Sequence, residues 1–168
     1  MGVPAIDPYA TSRRMRGAVR FARTPFGRWF GINVAARIDP FLLRVSRGRI
    51  STFAGAPIAD LAVPGRRSGV LRHAPVLYFT QGEQVVLIAS SFGREKHPAW
   101  YHNVMAHPEV TLAARGEEGR YVARETHGEE RDRLFALANL IYPGYADYEV
   151  RAGAAGRSIP VLVLEPAT

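Results

Sequence analysis

Two arginines and a serine lie between two glycines in the stretch Gly65-Arg66-Arg67-Ser68-Gly69, and Arg72 follows three residues later. Glycine adopts positive φ readily, so such a loop can turn sharply and present backbone N–H groups on its inner side. Arginine supplies planar, permanently charged groups that match phosphate and carboxylate oxygens. The stretch therefore predicts an anion-binding loop, although a solvated basic turn is the commoner explanation of the pentapeptide by itself.

A second stretch places small polar residues after an apolar strand, Ala89-Ser90-Ser91-Phe92-Gly93. Further along, Trp100 and Asn103 are three residues apart, so they share one face of a helix. An indole beside an amide could flank a flat ring and hydrogen-bond its edge. The alternative is a tryptophan in the core and an asparagine that caps its own helix.

A third stretch repeats tyrosine at every third position, Tyr142-Pro143-Gly144-Tyr145-Ala146-Asp147-Tyr148. If a helix restarts after the proline and glycine, the three phenols line one of its faces. They would form an apolar wall with polar tips, which suits a flat and poorly water-soluble substrate. An aromatic cluster at the edge of the core is the alternative.

Several kinds of catalytic site are not indicated. The sequence has no G-x-S-x-G motif, Walker loop or dinucleotide-binding fingerprint. His97, His102 and His107 are five residues apart, which spreads them around a helix, so no metal site is expected. The chain has no cysteine, so neither a disulfide nor a thiolate can contribute.

Short strands joined by hairpins dominate the chain after residue 50. The pattern predicts strands at Ile58–Val63, Arg72–Thr80, Gln84–Ala89, Glu109–Arg115, Arg120–Thr126 and Ile159–Glu165, with turns at Gln81-Gly82 and Glu117-Glu118-Gly119. Helices are predicted at Pro98–Ala106 and Gly128–Ile141. This arrangement favours an α+β fold in which an antiparallel sheet curls into a barrel with inserted helices.

The first 49 residues differ from the rest in charge. Residues 13–49 contain ten arginines and one acidic residue, Asp39, a net charge of +9 in a chain whose total is +7. We predict a basic helical arm (1–49) before a barrel domain (50–168). Within the arm we expect a loose lead-in over 1–12, a helix from Ser12 to Ala22 that breaks at Thr24-Pro25, and two short helices divided at Pro40, with Asp39 as the cap.

Arginines and exposed aromatic residues such as Trp29 and Phe30 would suit a membrane interface. Packing of the arm's apolar stripe on its own domain is the alternative. No apolar stretch reaches the length of a membrane span, and the N-terminus shows no secretory signal. These features favour a cytoplasmic protein, with peripheral attachment to the inner face of the cell membrane as a further possibility.

The three stretches together resemble the deazaflavin-dependent nitroreductases of actinobacteria, also described as quinone reductases. The resemblance runs from about residue 36 to the C-terminus and depends on the order and spacing of many short matches. They are Gly65-Arg66-Arg67-Ser68-Gly69, Arg72, Pro75, Ala89-Ser90, Gly93, Pro98, Trp100-Tyr101, Asn103, His107-Pro108, Glu130-Arg131, Tyr142-Pro143, Tyr145, Tyr148, Arg157, Ile159-Pro160 and Glu165-Pro166. That family is similar to the flavin-binding split β-barrel.

The resemblance implies that the cofactor is coenzyme F-420, a deazaflavin with a phosphate and an oligoglutamate tail. Arg66, Arg67 and Arg72 would hold its anionic parts, and Ser90, Trp100 and Asn103 would line its ring and ribityl region. The implied cofactor site also includes Ser68, Pro75, Ala89 and Ser91. The implied catalytic residues, which face the acceptor, are Tyr142, Tyr145, Tyr148 and Ser90, with a tyrosine or Ser90 hydroxyl as hydrogen-bond or proton donor.

The implied reaction transfers a hydride from the reduced deazaflavin to a quinone, an activated alkene or a nitroaromatic compound. A protein of the same fold that binds FMN is one alternative, and a membrane or nucleic-acid binding module that uses the arm alone is another, although we expect no nucleic-acid partner. The chain departs from the family in two places. It has Arg67 where lysine is common, and Ser91-Phe92 where a lysine or asparagine and a glycine are common. Phe92 would narrow the cleft if it points inward.

Overall fold

Six antiparallel strands close into a barrel in this computed structural model, which describes residues 2–10, 13–53 and 55–167. The strands are β1 (Ile58–Pro64), β2 (Leu71–Gln81), β3 (Gln84–Ile88), β4 (Glu109–Ala114), β5 (Glu117–Glu125) and β6 (Val161–Pro166). Their order around the barrel is β1-β2-β3-β6-β5-β4, and β4 returns to pair with β1. The predicted α+β class and antiparallel barrel are confirmed.

Buried and exposed residues alternate along β5, and this pattern shows why the strand forms part of a barrel wall. Gly119, Tyr121 and Ala123 are buried, whereas Arg120 and Val122 between them are exposed. A period of two residues places one set of side chains in the core and the other in water. The β4–β5 turn differs from the prediction, because Arg115 and Gly116 form it with φ of 54° and 91°. Two positive φ values match the hairpin turn that suits twisted strands, so β5 begins at Glu117.

The prediction of a loose lead-in is wrong for residues 2–8. Val3 and Ile6 are buried against the barrel. The Val3 N–H donates to the Tyr121 hydroxyl (2.9 Å), and the Thr80 N–H donates to the Ile6 carbonyl (2.9 Å). Apolar side chains and paired backbone groups therefore fix this segment to two strands that are distant in sequence.

The arm forms three helices, α1 (Arg13–Arg23), α2 (Pro25–Phe30) and α3 (Ala36–Ser46), with a π-helical segment (Gly31–Ala35) between the last two. The predicted break at Thr24-Pro25 is present, because the Thr24 hydroxyl accepts from the Gly27 N–H (2.9 Å) and Pro25 occupies the first turn. The expected helix start at Ser12 lies outside the described residues.

The predicted division at Pro40 is wrong, because α3 continues through this proline. A proline normally interrupts a helix by removing a hydrogen bond and crowding the preceding turn. A π-helical segment (Gly31–Ala35) directly precedes α3, and Pro40 lies about one turn into α3. Asp39 does not cap a helix either. Its buried carboxylate accepts hydrogen bonds from the Thr52 N–H (2.8 Å) and from the hydroxyls of Ser51 and Thr52.

The end of the arm is bonded to the β4–β5 turn. The Gly48 carbonyl accepts from the Arg115 N–H (2.9 Å), and the Arg47 carbonyl accepts from the Gly116 N–H (2.8 Å). A Cβ on Gly48 would lie 2.4 Å from the Ala113 carbonyl oxygen, so only glycine allows this approach. Arm and barrel pack on each other along this seam, and the division at residue 49 stays a prediction.

The described residues form three more α-helices after the arm, α4 (Ala99–Ala106), α5 (Gly128–Ile141) and α6 (Gly144–Ala154). The predicted helices at Pro98–Ala106 and Gly128–Ile141 are confirmed to within a residue, and the helix does restart after Pro143. Arg131 joins α5 to α6 through Glu149 (2.7 Å) and to the chain before β6 through the Ile159 carbonyl. These contacts fix the positions of α5 and α6, and with them Tyr142, Tyr145 and Tyr148, relative to the barrel.

Candidate functional site

The arginine loop connects β1 to β2 in a tight, internally bonded turn. The Gly65 N–H donates to the Val70 carbonyl (2.9 Å), and the Gly69 N–H donates to the Gly65 carbonyl (2.8 Å). Gly69 has φ +65°, as a glycine at this bend allows. The Ser68 hydroxyl accepts from the Val70 N–H (3.3 Å). The predicted strand, loop and strand are present.

The loop forms one side of a cavity that we call the arginine cavity. Its lining includes Arg66, Arg67, Ser68, Arg72, His73 and Asn103. The three arginines are exposed, and among the described residues none of them forms an ion pair with a carboxylate. The Arg66 N–H donates to the Asn103 side-chain oxygen (3.1 Å), which fixes the loop to α4. The cavity is therefore strongly positive and can bind an anion.

A second cavity, of about 400 Å³, is mainly apolar, and we call it the tyrosine cavity. Its lining includes Tyr142, Tyr145, Tyr148, Ser90, Ser91, Phe92, Pro75, Trp100 and several residues of the arm. The two cavities share three lining residues, Ala74, Pro75 and Trp100. A single elongated ligand could therefore place charged groups among the arginines and a flat ring near the tyrosines.

The three tyrosines pack against one another as one cluster. All three are buried, and the ring centroids of Tyr142 and Tyr145 are 5.2 Å apart. The Tyr142 and Tyr148 hydroxyls lie 2.8 Å apart, and either can be the donor. Burial raises the pKa of all three phenols above the usual value. They consequently remain protonated around neutral pH and can donate hydrogen bonds to a ligand.

The loop after β3 has an unusual backbone at the cavity wall. Ser91 and Phe92 have φ of 51° and 57°, a conformation that costs a non-glycine residue of order 1 kcal/mol or more. The Phe92 ring contacts Tyr148 edge to face, with centroids 6.0 Å apart, and it lines the tyrosine cavity. Phe92 therefore points inward and narrows the tyrosine cavity. This is the orientation that would matter for a residue at a position where glycine is common in the family.

Arg157 holds this loop in place, a role that the sequence analysis did not assign. Its guanidinium is nearly buried and donates to the carbonyls of Arg94 (2.9 Å), Ala89 (3.3 Å) and Ser90 (2.7 Å). It also contacts His97 Nδ1 at 3.1 Å. The residue appears in the family pattern, but its partners are 60 or more positions away, so local spacing gives no signal of them.

The structure brings the predicted residues into two groups. Arg66, Arg67, Ser68, Arg72 and Asn103 line the arginine cavity, Ser90, Ser91 and the tyrosines line the tyrosine cavity, and Pro75 and Trp100 line both. Ala89 is fully buried, and its backbone N–H and carbonyl are bonded to Pro160 and Arg157, so it lines neither cavity. Trp100 and Asn103 do share one face of α4, as predicted.

The arm supplies a wall of the tyrosine cavity that the sequence analysis missed. Small residues face the cavity from its helices, at Ala18, Ala22, Gly27, Gly31 and Ala35. Within each helical stretch the spacing is four residues, from Ala18 to Ala22 and from Gly27 through Gly31 to Ala35, and this helical spacing is the signal that could have revealed the wall. Side chains without bulk leave room for a ligand between the arm and the barrel.

Residues 36–166 match the family model of the F420H(2)-dependent quinone reductases. The chain belongs to this family. An F420H(2)-dependent quinone reductase of Mycobacterium tuberculosis is 28% identical over 145 residues, which cover 82% of this chain and 95% of the relative. Membership of this family confirms the predicted reductase class and the predicted cofactor, coenzyme F-420. The FMN alternative is therefore not needed.

Two solved structures share the fold. One, an F420-H2 dependent reductase (FDR-A), has 35% identity and a TM-score of 0.59, and covers 65% of this chain and 94% of its own. The other, described as a domain-swapped dimer, has 30% identity and a TM-score of 0.61, and covers 77% of this chain and 97% of its own. The matched family region begins at Ala36, so the cavity wall from Ala18 to Ala35 precedes it.

Proposed function

We propose that the protein transfers a hydride from reduced coenzyme F-420 to a quinone, and that activated alkenes and nitroaromatic compounds can also act as acceptors. The observation that carries this proposal is the junction of the two cavities at Pro75 and Trp100. A charged end and an aromatic end meet there, as an elongated cofactor with an anionic tail and a flat ring requires. The family's name supplies the reaction.

The residues present fit the cofactor. Arg66, Arg67 and Arg72 have no acidic partner among the described residues and would hold its phosphate and carboxylate groups. Trp100 and Pro75 would contact the ring where the cavities join. When bound, the reduced deazaflavin supplies the hydride. The protein therefore has to bind the cofactor and the acceptor, orient them and exclude water.

Hydroxyl groups in the tyrosine cavity would stabilise the acceptor. Hydride addition leaves negative charge on an acceptor oxygen, and a fixed hydrogen-bond donor stabilises that charge. The Tyr142 and Tyr148 hydroxyls share one proton in their mutual bond, which leaves the other proton for a ligand. Ser90 lines the same cavity and offers a second hydroxyl. The apolar lining keeps water out and strengthens these bonds.

Tyr148→Phe tests this assignment. The change removes one hydroxyl and keeps the ring, so we expect quinone turnover to fall about tenfold or more while cofactor affinity is unchanged. Tyr142→Phe breaks the same hydroxyl pair, so the double variant should lose little more than either single variant. Steady-state kinetics with purified F-420 would measure kcat and KM.

Tyr9→Phe is the matched control, because this tyrosine is 75% exposed and lies outside both cavities. It should retain parental kinetics. The assignment is wrong if Phe variants at Tyr142, Tyr145 and Tyr148 all keep parental kcat and KM for a quinone, an enone and a nitroaromatic compound. Failure of the parent to bind F-420 in a titration would reject the proposed function itself.

The outer face of the arm supports a second, separable proposal, that this protein attaches peripherally to the inner face of the cell membrane from the cytoplasm. Phe26, Trp29, Phe41 and Val45 are each more than half exposed there. Arg37 and Arg44 on α3 are exposed as well. Across the described residues, no helix is long and apolar enough to cross a bilayer. Apolar side chains amid cations suit anionic lipid headgroups, where a quinone acceptor would be dissolved.

Vesicle binding would test the membrane proposal. Each basic residue near an anionic surface contributes about 1 kcal/mol, so we expect stronger partition onto anionic than neutral vesicles, weakening with salt. The double variant Trp29→Glu, Phe41→Glu should reduce partition at least about tenfold, because it removes two apolar contacts and adds two negative charges. Val150→Glu is the control, since Val150 is also largely exposed but lies on α6. Equal partition of the parent onto both kinds of vesicle would contradict the proposal.

A further inference from the structure

A carboxylate and an imidazole lie side by side at the edge of the arginine cavity. Asp60 is on the outer face of β1, opposite in direction to the core residues Leu61 and Val63. In the β1–β2 register Ala62 pairs with His73, which makes Asp60 and His73 diagonal neighbours on that face. The distance from His73 Nδ1 to Asp60 Oδ2 is 2.7 Å.

The ionised carboxylate of Asp60 depends on the hydrogen bond with His73. The residue is 5% exposed, and its second oxygen, Oδ1, has no hydrogen-bond partner among the described residues. Burial raises the pKa of Asp60, and the bond from His73 opposes that rise. Because a buried carboxylate without a partner is costly, His73 keeps a proton on Nδ1 whenever Asp60 is ionised.

His73 itself faces the cavity. It is partly exposed and lines the arginine cavity together with Arg66, Arg67 and Arg72. With Nδ1 bonded to Asp60, Nε2 is the only polar atom left on the ring, and within the described part of the chain it has no hydrogen-bond partner. A ring atom of this kind in a positive cavity is available to a ligand.

We propose that His73, oriented by Asp60, is a fourth anion-binding residue of the arginine cavity, and that it binds the anionic part of the cofactor together with one proton. The inference rests on the proposed function for the identity of the anion. A neutral imidazole has one N–H, and Asp60 holds it at Nδ1, so Nε2 then presents a lone pair that repels an anion. The protonated ring donates from Nε2 as well, and only this form binds.

The charges around Asp60 and His73 determine whether cofactor binding is coupled to uptake or to release of a proton. The groups that face the pair are, on one side, Asp60 and a bound anion, which favour a positive His73 ring, and on the other the cavity arginines, Arg66, Arg67 and Arg72, which oppose it; Arg44 on α3 and Glu118 act on Asp60 itself. An anion in the cavity offsets the repulsion from the arginines. Because the proposal requires a proton at Nε2 for binding, cofactor binding takes up a proton and affinity falls as the pH rises.

Binding of oxidised F-420 over a pH series tests the proposal without reference to turnover. We would measure Kd by cofactor fluorescence between about pH 5.5 and 8.5 at constant ionic strength, and we expect the parent's affinity to fall about fivefold to tenfold across this range. His73→Gln should bind more weakly at the acidic end and give a flat profile. Asp60→Asn should also flatten the profile, because the neutral ring can then carry its proton on Nε2. His127→Gln, at an exposed site before α5, should follow the parent.

Calorimetry of the parent needs no variant and covers the case in which a variant does not fold. Titration of F-420 in two buffers of different ionisation enthalpy reports proton uptake directly. Uptake of a fraction of a proton that declines at high pH would support the proposal. A parent that binds F-420 without proton uptake, or a folded His73→Gln that keeps the parental pH profile, would overturn it while leaving the proposed function intact. A parent that does not bind F-420 would overturn both.

Discussion

Arg67→Glu is expected to weaken F-420 binding by about a hundredfold or more at low salt. A charge-assisted hydrogen bond contributes roughly 1.5–3 kcal/mol, which corresponds to about tenfold to a hundredfold in affinity. The new carboxylate adds repulsion from the cofactor's own anionic groups. Arg67 is exposed and has no acidic partner among the described residues, so the fold should be unaffected. Fluorescence titration would give the affinity.

Arg133→Glu makes the same change of charge on an exposed part of α5, away from the arginine cavity. It controls for the loss of positive charge from the whole chain, and we expect at most a small, salt-sensitive effect on Kd. If the Arg67 variant binds F-420 as tightly as the parent at low salt, the loop is only a basic turn between two strands.

Arg157→Met is expected to cost about 3 kcal/mol of unfolding free energy or more, and most of the activity. The substitution keeps an apolar stem but removes the donor to three carbonyls, those of Ala89, Ser90 and Arg94. A buried acceptor left without a partner costs about 1–3 kcal/mol. Because the same carbonyls position Ser90 and the turn at Phe92, quinone turnover should fall together with stability.

Urea unfolding and steady-state kinetics would measure the two effects of Arg157→Met. Arg133→Met is the control, since an exposed arginine without buried partners should change stability by less than about 0.5 kcal/mol. A change that small in the Arg157 variant would show that its hydrogen bonds are replaced by water and that the loop does not depend on them.

Local patterns in the sequence predicted what is local in the structure. The alternation in β5 and the spacing of Tyr145 and Tyr148 are properties of neighbouring residues, so strands, helices and this part of the tyrosine face could be located from them, whereas Tyr142 lies before α6 at the end of α5. The arginine loop could be recognised because its glycines and cations occur within five positions. The grouping of these stretches into one site came from their resemblance to a family, and the two cavities agree with it.

Contacts between distant positions could not be predicted in this way. Arg157 and its carbonyl partners are separated by more than 60 residues, and the bond from Val3 to Tyr121 spans 118. The continuation of α3 through Pro40 could not be predicted either, because a proline normally interrupts a helix. The Asp60–His73 pair is visible only once the β1–β2 register is known.

The pairing between β1 and β4 has a consequence for how the protein would begin to unfold. It contains three residue pairs, Asp60 with Ala113, Leu61 with Leu112 and Ala62 with Thr111, and it is the shortest in the barrel. The arm is bonded to the turn beside it through Arg47 and Gly48. Release of the arm would thus expose the place where the sheet opens most readily, and backbone amides there should exchange with solvent first. Two free strand edges would then be available for addition of strands from other molecules, so we expect that loss of the arm would promote aggregation.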